Sequence, residues 1–288
     1  MNYNQIIRCL LSLIIMSSVL SFTAQSKALV EPEAVGGVRN GQNTSTGGTA
    51  GENVDINTLI RESEKNPSDI SLKEKLAIAY IKEKKYDNAI QIFQKILSIN
   101  SGSAIHHNAL GSVYGLKGDI NKAVEEYKLA VKFDPGFAEA HKNLGNAYIG
   151  EKKLDEALKE FNTALKLKPD YFSVMNNIAS LYLLQQKYDE ALKKVDEVLT
   201  RSPSYIPALR MKGIIYLRSG KYKEATKEFL DVQEKNPKDP LNTKYLAGAY
   251  VRMGDFIKAV EYCKKYIELM PSTSDIQDYK DFIKIYGN

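Results

Sequence analysis

The sequence lacks tryptophan and contains only two cysteines and three histidines in 288 residues. Cys9 lies in an N-terminal apolar segment, and if that segment is removed only Cys263 remains, which excludes an intrachain disulfide. His106, His107 and His141 have no cysteine or acidic cluster beside them in the sequence, so we interpret them as packing side chains. We therefore predict no metal, no cofactor and a fold that is stabilised by packing alone.

A strong excess of charge of one sign is also absent. Forty Lys and Arg residues against 35 Asp and Glu residues give a net charge of +5, and the basic residues alternate with acidic ones along the chain. Nucleic-acid binders concentrate their basic residues in one patch, so we predict no nucleic-acid partner. No Ser/His/Asp arrangement is recognisable, and the pattern from Gly145 to Lys152 lacks the Gly-Lys-Ser/Thr of a phosphate loop. We expect no enzyme activity and no small-molecule substrate.

The N-terminus has the order of a secretory signal peptide. Arg8 precedes an apolar run of 14 residues, 9–22, and small residues follow, which predicts cleavage after Ser26 or Ala28. The run is shorter than the roughly 20 residues that span a bilayer, although an uncleaved inner-membrane anchor through 9–22 is the alternative. A lipoprotein is not indicated, because Cys9 precedes the run. We predict a signal peptide over 1–28, a flexible linker over 29–54 and export to the periplasm or medium.

From residue 70 onward the sequence repeats every 34 residues without insertion or deletion. Four columns of residues define the repeat. The columns are a small residue at Ala77, Gly111, Gly145, Ala179, Gly213 and Ala247; a tyrosine at Tyr80, Tyr114, Tyr148, Tyr182, Tyr216 and Tyr250; an alanine at Ala89, Ala123, Ala157, Ala191, Ala225 and Ala259; and a proline at Pro135, Pro169, Pro203, Pro237 and Pro271.

Each repeat divides into two stretches of helical periodicity. In the third repeat these are about 138–150 and 155–167, and the small Gly145 and Ala157 would let the two helices cross closely. We expect left-handed glycines where first helices end, at Gly118, Gly220 and Gly254. We expect acidic caps where second helices begin, at Asp87, Asp155 and Asp189.

The spacing and the columns resemble the tetratricopeptide repeat (TPR), most closely in the third repeat, Ala138 to Pro169. Stacked helix pairs bury the faces that a single pair leaves open. The resemblance implies an all-α, right-handed α-solenoid of six 34-residue helix–turn–helix repeats over 70–273. A C-terminal capping helix is predicted over 274–288, and 55–69 is a candidate N-terminal capping segment. Cys263 replaces the usual aromatic residue of the second helix, and we interpret it as a buried small hydrophobe.

In this family the first helix of each repeat lines a concave groove in which ligands lie. Mapped by the repeat register, the partner-binding groove here is predicted to contain amide and basic side chains: Asn108, Lys142, Asn143, Asn146, Asn176, Asn177, Arg210, Arg218, Lys244, Tyr245 and Arg252. Lys142, Asn146 and Asn177 occupy three places of the two-carboxylate clamp of co-chaperone members. Pro207 and Met211 occupy the other two, so the clamp is incomplete.

These features predict an exported scaffold that binds a protein or peptide in the groove, with an acidic or extended peptide as the favoured ligand. An assembly factor for an envelope or secreted complex would fit. The alternatives are a structural module that acts through its convex face or by self-association, and a membrane-tethered scaffold. The sequence leaves the oligomeric state open.

Overall fold

The computed structural model describes residues 55–287, so the predicted signal peptide, anchor and linker lie outside the described residues. Within that range the chain forms helices and no strand, which confirms the all-α class. The helices are α1 (Ile56–Lys65), α2 (Ile70–Lys82), α3 (Tyr86–Ile99), α4 (Ala104–Lys117), α5 (Ile120–Phe133), α6 (Ala138–Gly150), α7 (Leu154–Leu167), α8 (Phe172–Leu184), α9 (Tyr188–Arg201), α10 (Ile206–Arg218), α11 (Tyr222–Lys235), α12 (Pro240–Met253), α13 (Phe256–Leu269) and α14 (Ile276–Tyr286).

The helices from α2 to α13 form the six predicted helix–turn–helix repeats of a TPR solenoid, and α14 is the predicted C-terminal helix. They belong to two compact bodies. The N-terminal body comprises 55–174 and the C-terminal body 175–287. In the N-terminal body α2 packs on α3, α4 on α5 and α6 on α7, and the second helices α3 and α5 also pack on the first helices α4 and α6 of the next repeats. In the C-terminal body α10 packs on α11 and α12 on α13, and the second helices α9 and α11 pack on α10 and α12. Burying both faces of the first helices in this way is what a stacked repeat requires.

The small-residue column lies where the two helices of a repeat cross, as the sequence predicts. A Cβ added to Gly145 would lie 2.6 Å from Cε1 of Phe161, and one added to Gly213 would lie 2.5 Å from Cε1 of Phe229. Real Cβ atoms do not come this close, so only glycine fits beneath these rings. The alanine column is also buried, with Ala157 fully inaccessible to solvent.

The small residue varies with the side chain that stands sixteen positions later on the second helix. Glycine occurs opposite the rings of Tyr127, Phe161 and Phe229. Where the second helix has a smaller side chain, as at Val195 and Cys263, the small residue is alanine. The first repeat departs from this rule, since it combines Ala77 with Phe93. Because close packing fixes the volume at the crossing, a smaller partner leaves room for one methyl group.

One backbone geometry closes the first helix in all six repeats. The left-handed glycines predicted at the helix ends are confirmed, with φ of 93° at Gly118, 79° at Gly220 and 76° at Gly254. The equivalent residues of the other three repeats are also left-handed, at Lys84 (φ 58°), Lys152 (φ 61°) and Gln186 (φ 59°). In each repeat the next N–H donates to the carbonyl of the column tyrosine, for example Lys153 to Tyr148 at 2.9 Å. This bond is the closing bond of a Schellman motif.

The prediction of acidic caps at Asp87, Asp155 and Asp189 is wrong by two positions. Lysine is the N-cap residue of α3, α7 and α9, and its side chain makes no capping hydrogen bond. The three aspartates lie in the first turn instead, where a negative charge still suits the helix dipole. True side-chain caps occur at Asp119, which accepts from the N–H of Lys122, and at Asp255, which accepts from Lys258.

The described chain begins and ends with an unpaired helix. Leu59 of α1 is buried in the core of the N-terminal body, and α1 borders a cleft of about 520 Å³ that α2 and α3 also line. At the other end, Tyr279 and Phe282 of α14 are completely buried against α13. Cys263 is buried as predicted, and burial raises the pKa of its thiol to about 12, so the thiolate is disfavoured at neutral pH.

Candidate partner-binding surface

The residues that the sequence assigns to the groove all lie on first helices, α4, α6, α8, α10 and α12, and most fall into three columns of the repeat. The longest column takes one residue from each of five consecutive repeats. It comprises Asn108, Lys142, Asn176, Arg210 and Lys244. A second column contains Asn143, Asn177 and Tyr245, and a third contains Arg218 and Arg252; Asn146 lies on α6 outside these columns.

In the N-terminal body the predicted residues form a compact polar cluster. Asn108, Lys142, Asn143 and Asn146 are all buried, with exposed fractions of 2–9%. Asn143 Nδ2 donates to Asn108 Oδ1 over 2.9 Å, which joins α6 to α4. Lys142 Nζ lies 5.6 Å from the ring centroid of Tyr171, a distance at which a cation and an aromatic face attract each other. Part of the hydrogen-bonding capacity of these amides is therefore used inside the body.

In the C-terminal body two of the predicted basic residues form ion pairs with buried acids. Arg210 Nη2 donates to Asp239, whose side chain is only 7% exposed. Lys244 Nζ donates to Asp275 Oδ2 over 2.7 Å. Burial alone would raise the pKa of Asp275, but the hydrogen bonds from Lys244 and Thr273 outweigh it and lower that pKa. The charge of this region is thus less positive than its basic residues suggest.

The other predicted residues of this body differ in exposure. Asn177 and Tyr245 are buried, Asn176 and Arg252 are partly buried, and Arg218 is exposed at the end of α10. The Tyr245 ring stacks on Phe229, with centroids 5.2 Å apart and planes 7° apart. Of the residues at clamp positions, Lys142 and Asn146 lie in the N-terminal body and Asn177 in the C-terminal body. Met211, which occupies another clamp position, is buried.

The histidines are buried but are not isolated, because each contacts a carboxylate that the sequence pattern did not reveal. His107 Nδ1 lies 2.7 Å from Glu126, and its Nε2 lies 3.0 Å from the carbonyl oxygen of Ser101. His141 repeats this arrangement 34 residues later, with Glu160 at 2.6 Å and the carbonyl of Pro135 at 3.1 Å. Because a carbonyl only accepts, Nε2 carries a proton in both rings, and in His141 the carboxylate at Nδ1 favours the doubly protonated ring.

These contacts raise the pKa of His141. The hydrogen bond to Glu160 is the largest cause, burial acts against it, and the carbonyl of Pro135 adds to the increase. Within residues 55–287, no three His, Cys, Asp or Glu side chains come together in a way that could hold a metal ion. In the same range no helix is both long and apolar enough to cross a membrane.

Comparison with known protein families finds the repeat in four stretches. Tetratricopeptide-repeat models match residues 71–102 and 138–171, and a TPR repeat model matches 116–151. The model of the N-terminal TPR repeats region of Psidin matches 181–280. No curated protein sequence matches the chain.

Solved structures with the same fold include a tetratricopeptide repeat protein from Parabacteroides merdae. It is 17% identical, with a TM-score of 0.69, and the match covers 92% of this chain and 100% of that one. PilW, a type IV pilus biogenesis factor, is 19% identical with a TM-score of 0.64, covering 72% of this chain and 96% of its own. PilF of Pseudomonas aeruginosa is 19% identical with a TM-score of 0.58, covering 74% and 96%. At these identities the likeness concerns the fold, and together with the family models and the six structural repeats it shows that the chain belongs to the tetratricopeptide-repeat proteins.

Proposed function

We propose that the chain is an exported protein-interaction scaffold that holds an extended, acidic segment of its partner along the first helices of its repeats. The column of Asn108, Lys142, Asn176, Arg210 and Lys244 carries this proposal. Burying an amide or a charge costs free energy that an apolar residue would not cost. A polar residue at the same position of five successive first helices is therefore better explained by contact with a partner than by stability.

The chemistry of the column suits a peptide backbone and acidic side chains. Amide side chains both donate and accept, so they can pair with the N–H and C=O groups of an extended chain. Guanidinium groups match carboxylates in shape and charge. The type IV pilus biogenesis factor among the similar structures gives a precedent for assembly roles on this fold, and an assembly factor for an envelope or secreted complex is the role we propose here.

Charge reversal on the C-terminal body tests the peptide surface. Proteins crosslinked to the full chain in its native host would be identified first, and their affinity would be measured again with Arg218→Glu/Arg252→Glu. We expect at least tenfold weaker binding of acidic partners, because the new carboxylates carry the same sign of charge as the partner, which slows association and adds repulsion. The control is Lys223→Glu/Lys227→Glu on exposed positions of α11, which makes the same change in net charge. Equal affinities of the two variants would contradict binding by the first helices.

Export is a separate part of the proposal and rests on residues 1–28. Fractionation of the native host, followed by N-terminal sequencing, should recover a chain that begins at Lys27 or Leu29. A full-length chain in the inner membrane would favour the anchor alternative instead. A chain confined to the cytoplasm would remove export from the proposal and leave partner binding to be judged on its own test.

Self-association is a second candidate function, because three second helices each end, at the same repeat position, with an exposed apolar side chain. Ile99, Phe133 and Leu167 are 51%, 45% and 43% exposed. The equivalent residues of the next two repeats are Arg201 and Lys235. Light scattering over a range of concentrations would detect such association. A monomer at all concentrations would exclude it, whereas an oligomer that Phe133→Ser dissociates would support it.

A further inference from the structure

Lys73 of α2 is a buried lysine whose ammonium group has no carboxylate partner among residues 55–287. The residue is only 6% exposed. Its Nζ donates to the backbone carbonyl oxygen of Pro67 over 2.5 Å, and it forms no ion pair within the described part of the chain. Lysine is almost never buried unless it is paired, because a charge without a counter-ion is costly to remove from water. The burial of Lys73 therefore needs an explanation.

The second and third repeats show which groups accompany this position. His107 and His141 occupy it, and Nε2 of each contacts the backbone carbonyl oxygen at the position of Pro67 in its own repeat. The other ring nitrogen of each histidine lies within 2.7 Å of a glutamate carboxylate on the second helix, at Glu126 or Glu160. A nitrogen donor at this position thus has two partners, a carbonyl and a carboxylate.

The first repeat keeps the carbonyl but not the carboxylate, because Ile92 takes the place of the glutamate. The packing of the fold does not require an apolar residue there. Four of the six repeats have a charged residue at this position of the second helix, namely Glu126, Glu160, Lys194 and Glu228. Lys73 is therefore a cation at a place where the two following repeats supply a carboxylate of their own.

The groups concerned all border the cleft of about 520 Å³ between α1, α2 and α3, which we call the N-terminal cleft. Lys73, Pro67 and Ile92 line it, and Ile60 and Leu76 add apolar wall. Both ends of the hydrogen bond from Lys73 to Pro67 belong to lining residues, so the ammonium group can be reached from the cleft. Its volume is in the range of binding clefts, roughly 300–1,000 Å³.

The charge of the N-terminal cleft suits one carboxylate. Glu64 and Lys95 also line the cleft, both are exposed, and their charges are opposite. The cleft therefore keeps about one positive charge, that of Lys73, which a single carboxylate balances. A phosphate monoester carries about −1.5 to −2 charges at neutral pH and would leave an excess of negative charge.

We propose that the N-terminal cleft binds the carboxylate of a Glu or Asp side chain that is flanked by apolar residues in a partner protein. The carboxylate accepts from the Lys73 ammonium group, as the glutamates of the next two repeats contact the histidines at its position. The apolar neighbours contact the apolar wall, and the side-chain amides of Asn88 and Gln91, which also line the cleft, pair with the peptide backbone. None of the predicted groove residues lines this cleft, so the site goes beyond the proposed function and can fail independently of it.

Lys73→Met is the decisive variant, because it removes the ammonium group and gives the residue found at Met175 in the fourth repeat. Binding of the fluorescein-labelled, C-terminally amidated peptide Gly-Ser-Leu-Glu-Leu-Ser-Gly to the full chain would be followed by fluorescence anisotropy. We expect Lys73→Met to weaken binding at least about tenfold, as for a lost hydrogen bond to a charged group. Its melting temperature should be unchanged or higher, because a buried charge without a counter-ion is removed. The control Lys75→Met, at an exposed position of α2, should stay within about twofold of the wild type.

Ile92→Glu supplies the carboxylate from the chain itself and so provides a second arm. It should weaken peptide binding at least about tenfold, because the ammonium group of Lys73 is then occupied. It should also lower the melting temperature less in the wild-type background than in the Lys73→Met background, where the new carboxylate has no cation. Gln94→Glu adds the same charge to α3 at an exposed position outside the cleft and should leave peptide binding within about twofold of the wild type.

The peptide controls identify the group that is recognised. The peptide with Gln in place of Glu should bind at least about tenfold more weakly. No saturable binding of the Glu peptide by the wild type, equal binding of the Gln peptide, or equal binding by Lys73→Met and Lys75→Met would overturn the site.

Two further outcomes would overturn parts of the assignment. Tighter binding of a matched phosphoserine peptide would exclude a carboxylate as the preferred group, and tighter binding of hexanoate would exclude a protein partner. If these peptide tests fail while Arg218→Glu/Arg252→Glu still weakens the native partner, the site is wrong and the proposed function remains.

Discussion

Replacing Gly145 by alanine should destabilise the protein even though alanine is the better helix former. The new Cβ would lie 2.6 Å and 2.7 Å from Cε1 and Cδ1 of Phe161, whereas ordinary contacts begin near 3.4 Å. The Phe161 ring must then move by about 1 Å, and it is completely buried. Overpacking of this kind costs about 1–3 kcal/mol, and the helix propensity of alanine returns about 1 kcal/mol. We expect a net loss of up to about 2 kcal/mol in the free energy of unfolding.

The fourth repeat supplies the compensating substitution. It combines Ala179 with Val195 where the third combines Gly145 with Phe161. Phe161→Val alone should be destabilising, because it leaves a cavity beneath a glycine. In the double variant the alanine methyl fills part of that cavity, so the two effects should fall short of their sum by at least about 1 kcal/mol.

Urea unfolding of the wild type, both single variants and the double variant, followed by far-UV circular dichroism, gives this coupling energy. Gly102→Ala is the control, since its added Cβ would make only an ordinary 3.7 Å contact with Phe133. Additivity within about 0.5 kcal/mol would refute the reasoning. The small residue would then have to be explained by something other than the volume of the side chain opposite it.

Three further predictions concern the turns and the buried histidine. Lys221→Asp creates the Gly-Asp pair that caps α5 and α13 in other repeats, and it should raise the free energy of unfolding by about 1 kcal/mol in urea titrations; no gain would show that the cap geometry differs at Gly220. Lys152→Gly relieves a left-handed lysine and should stabilise by about 0.5–1 kcal/mol, while Gly118→Ala should destabilise by a similar amount; a loss for the first variant would contradict the strain argument. Because the folded-state pKa of His141 is raised, its contribution to stability is fully present below about pH 6.5 and is lost as the pH rises through the folded value. His141→Met, which copies Met175 of the next repeat, should flatten that part of the stability profile in melting experiments from pH 5.5 to 9, and an unchanged profile would exclude His141 as its source.

The repeat fold could be predicted because its determinants recur in the sequence at a fixed interval. Ala157 and Gly145 are recognisable as crossing residues from one repeat, and five further copies confirm the interval. The helix bounds followed to within one residue in the third repeat, where α7 begins at Leu154 rather than at 155. The 34-residue periodicity shows which residues of the six repeats are equivalent, and this equivalence predicts which side chains pack at the helix crossings.

The caps and the polar contacts were harder to predict, because they depend on atoms that the repeat pattern does not fix. The N-cap position holds lysine in four repeats and aspartate in two. Because a lysine side chain is not recognisable as a cap, the sequence pointed to Asp155, which lies in the first turn of the helix. The ion pair of Arg210 with Asp239 joins residues 29 apart in successive repeats, and that of His141 with Glu160 joins residues 19 apart. Neither spacing is a helical one, so sequence periodicity carries no signal for these pairs. The occurrence of histidine and glutamate together at 107 and 126, and again at 141 and 160, was the one available indication.

The turn inside each repeat has a consequence for altering this protein. The residue whose N–H closes the first helix, such as Lys153, is also the N-cap residue of the second helix. Only two residues therefore lie between the last residue of the first helix and the N-cap of the second. An epitope tag or a loop graft inserted at Lys152 would have to break that bond and separate the paired helices. In the turns between repeats, exposed residues such as Gly136 connect α5 to α6, and no residue closes one helix and caps the next. Insertions for labelling or domain fusion should therefore be placed between repeats rather than within them.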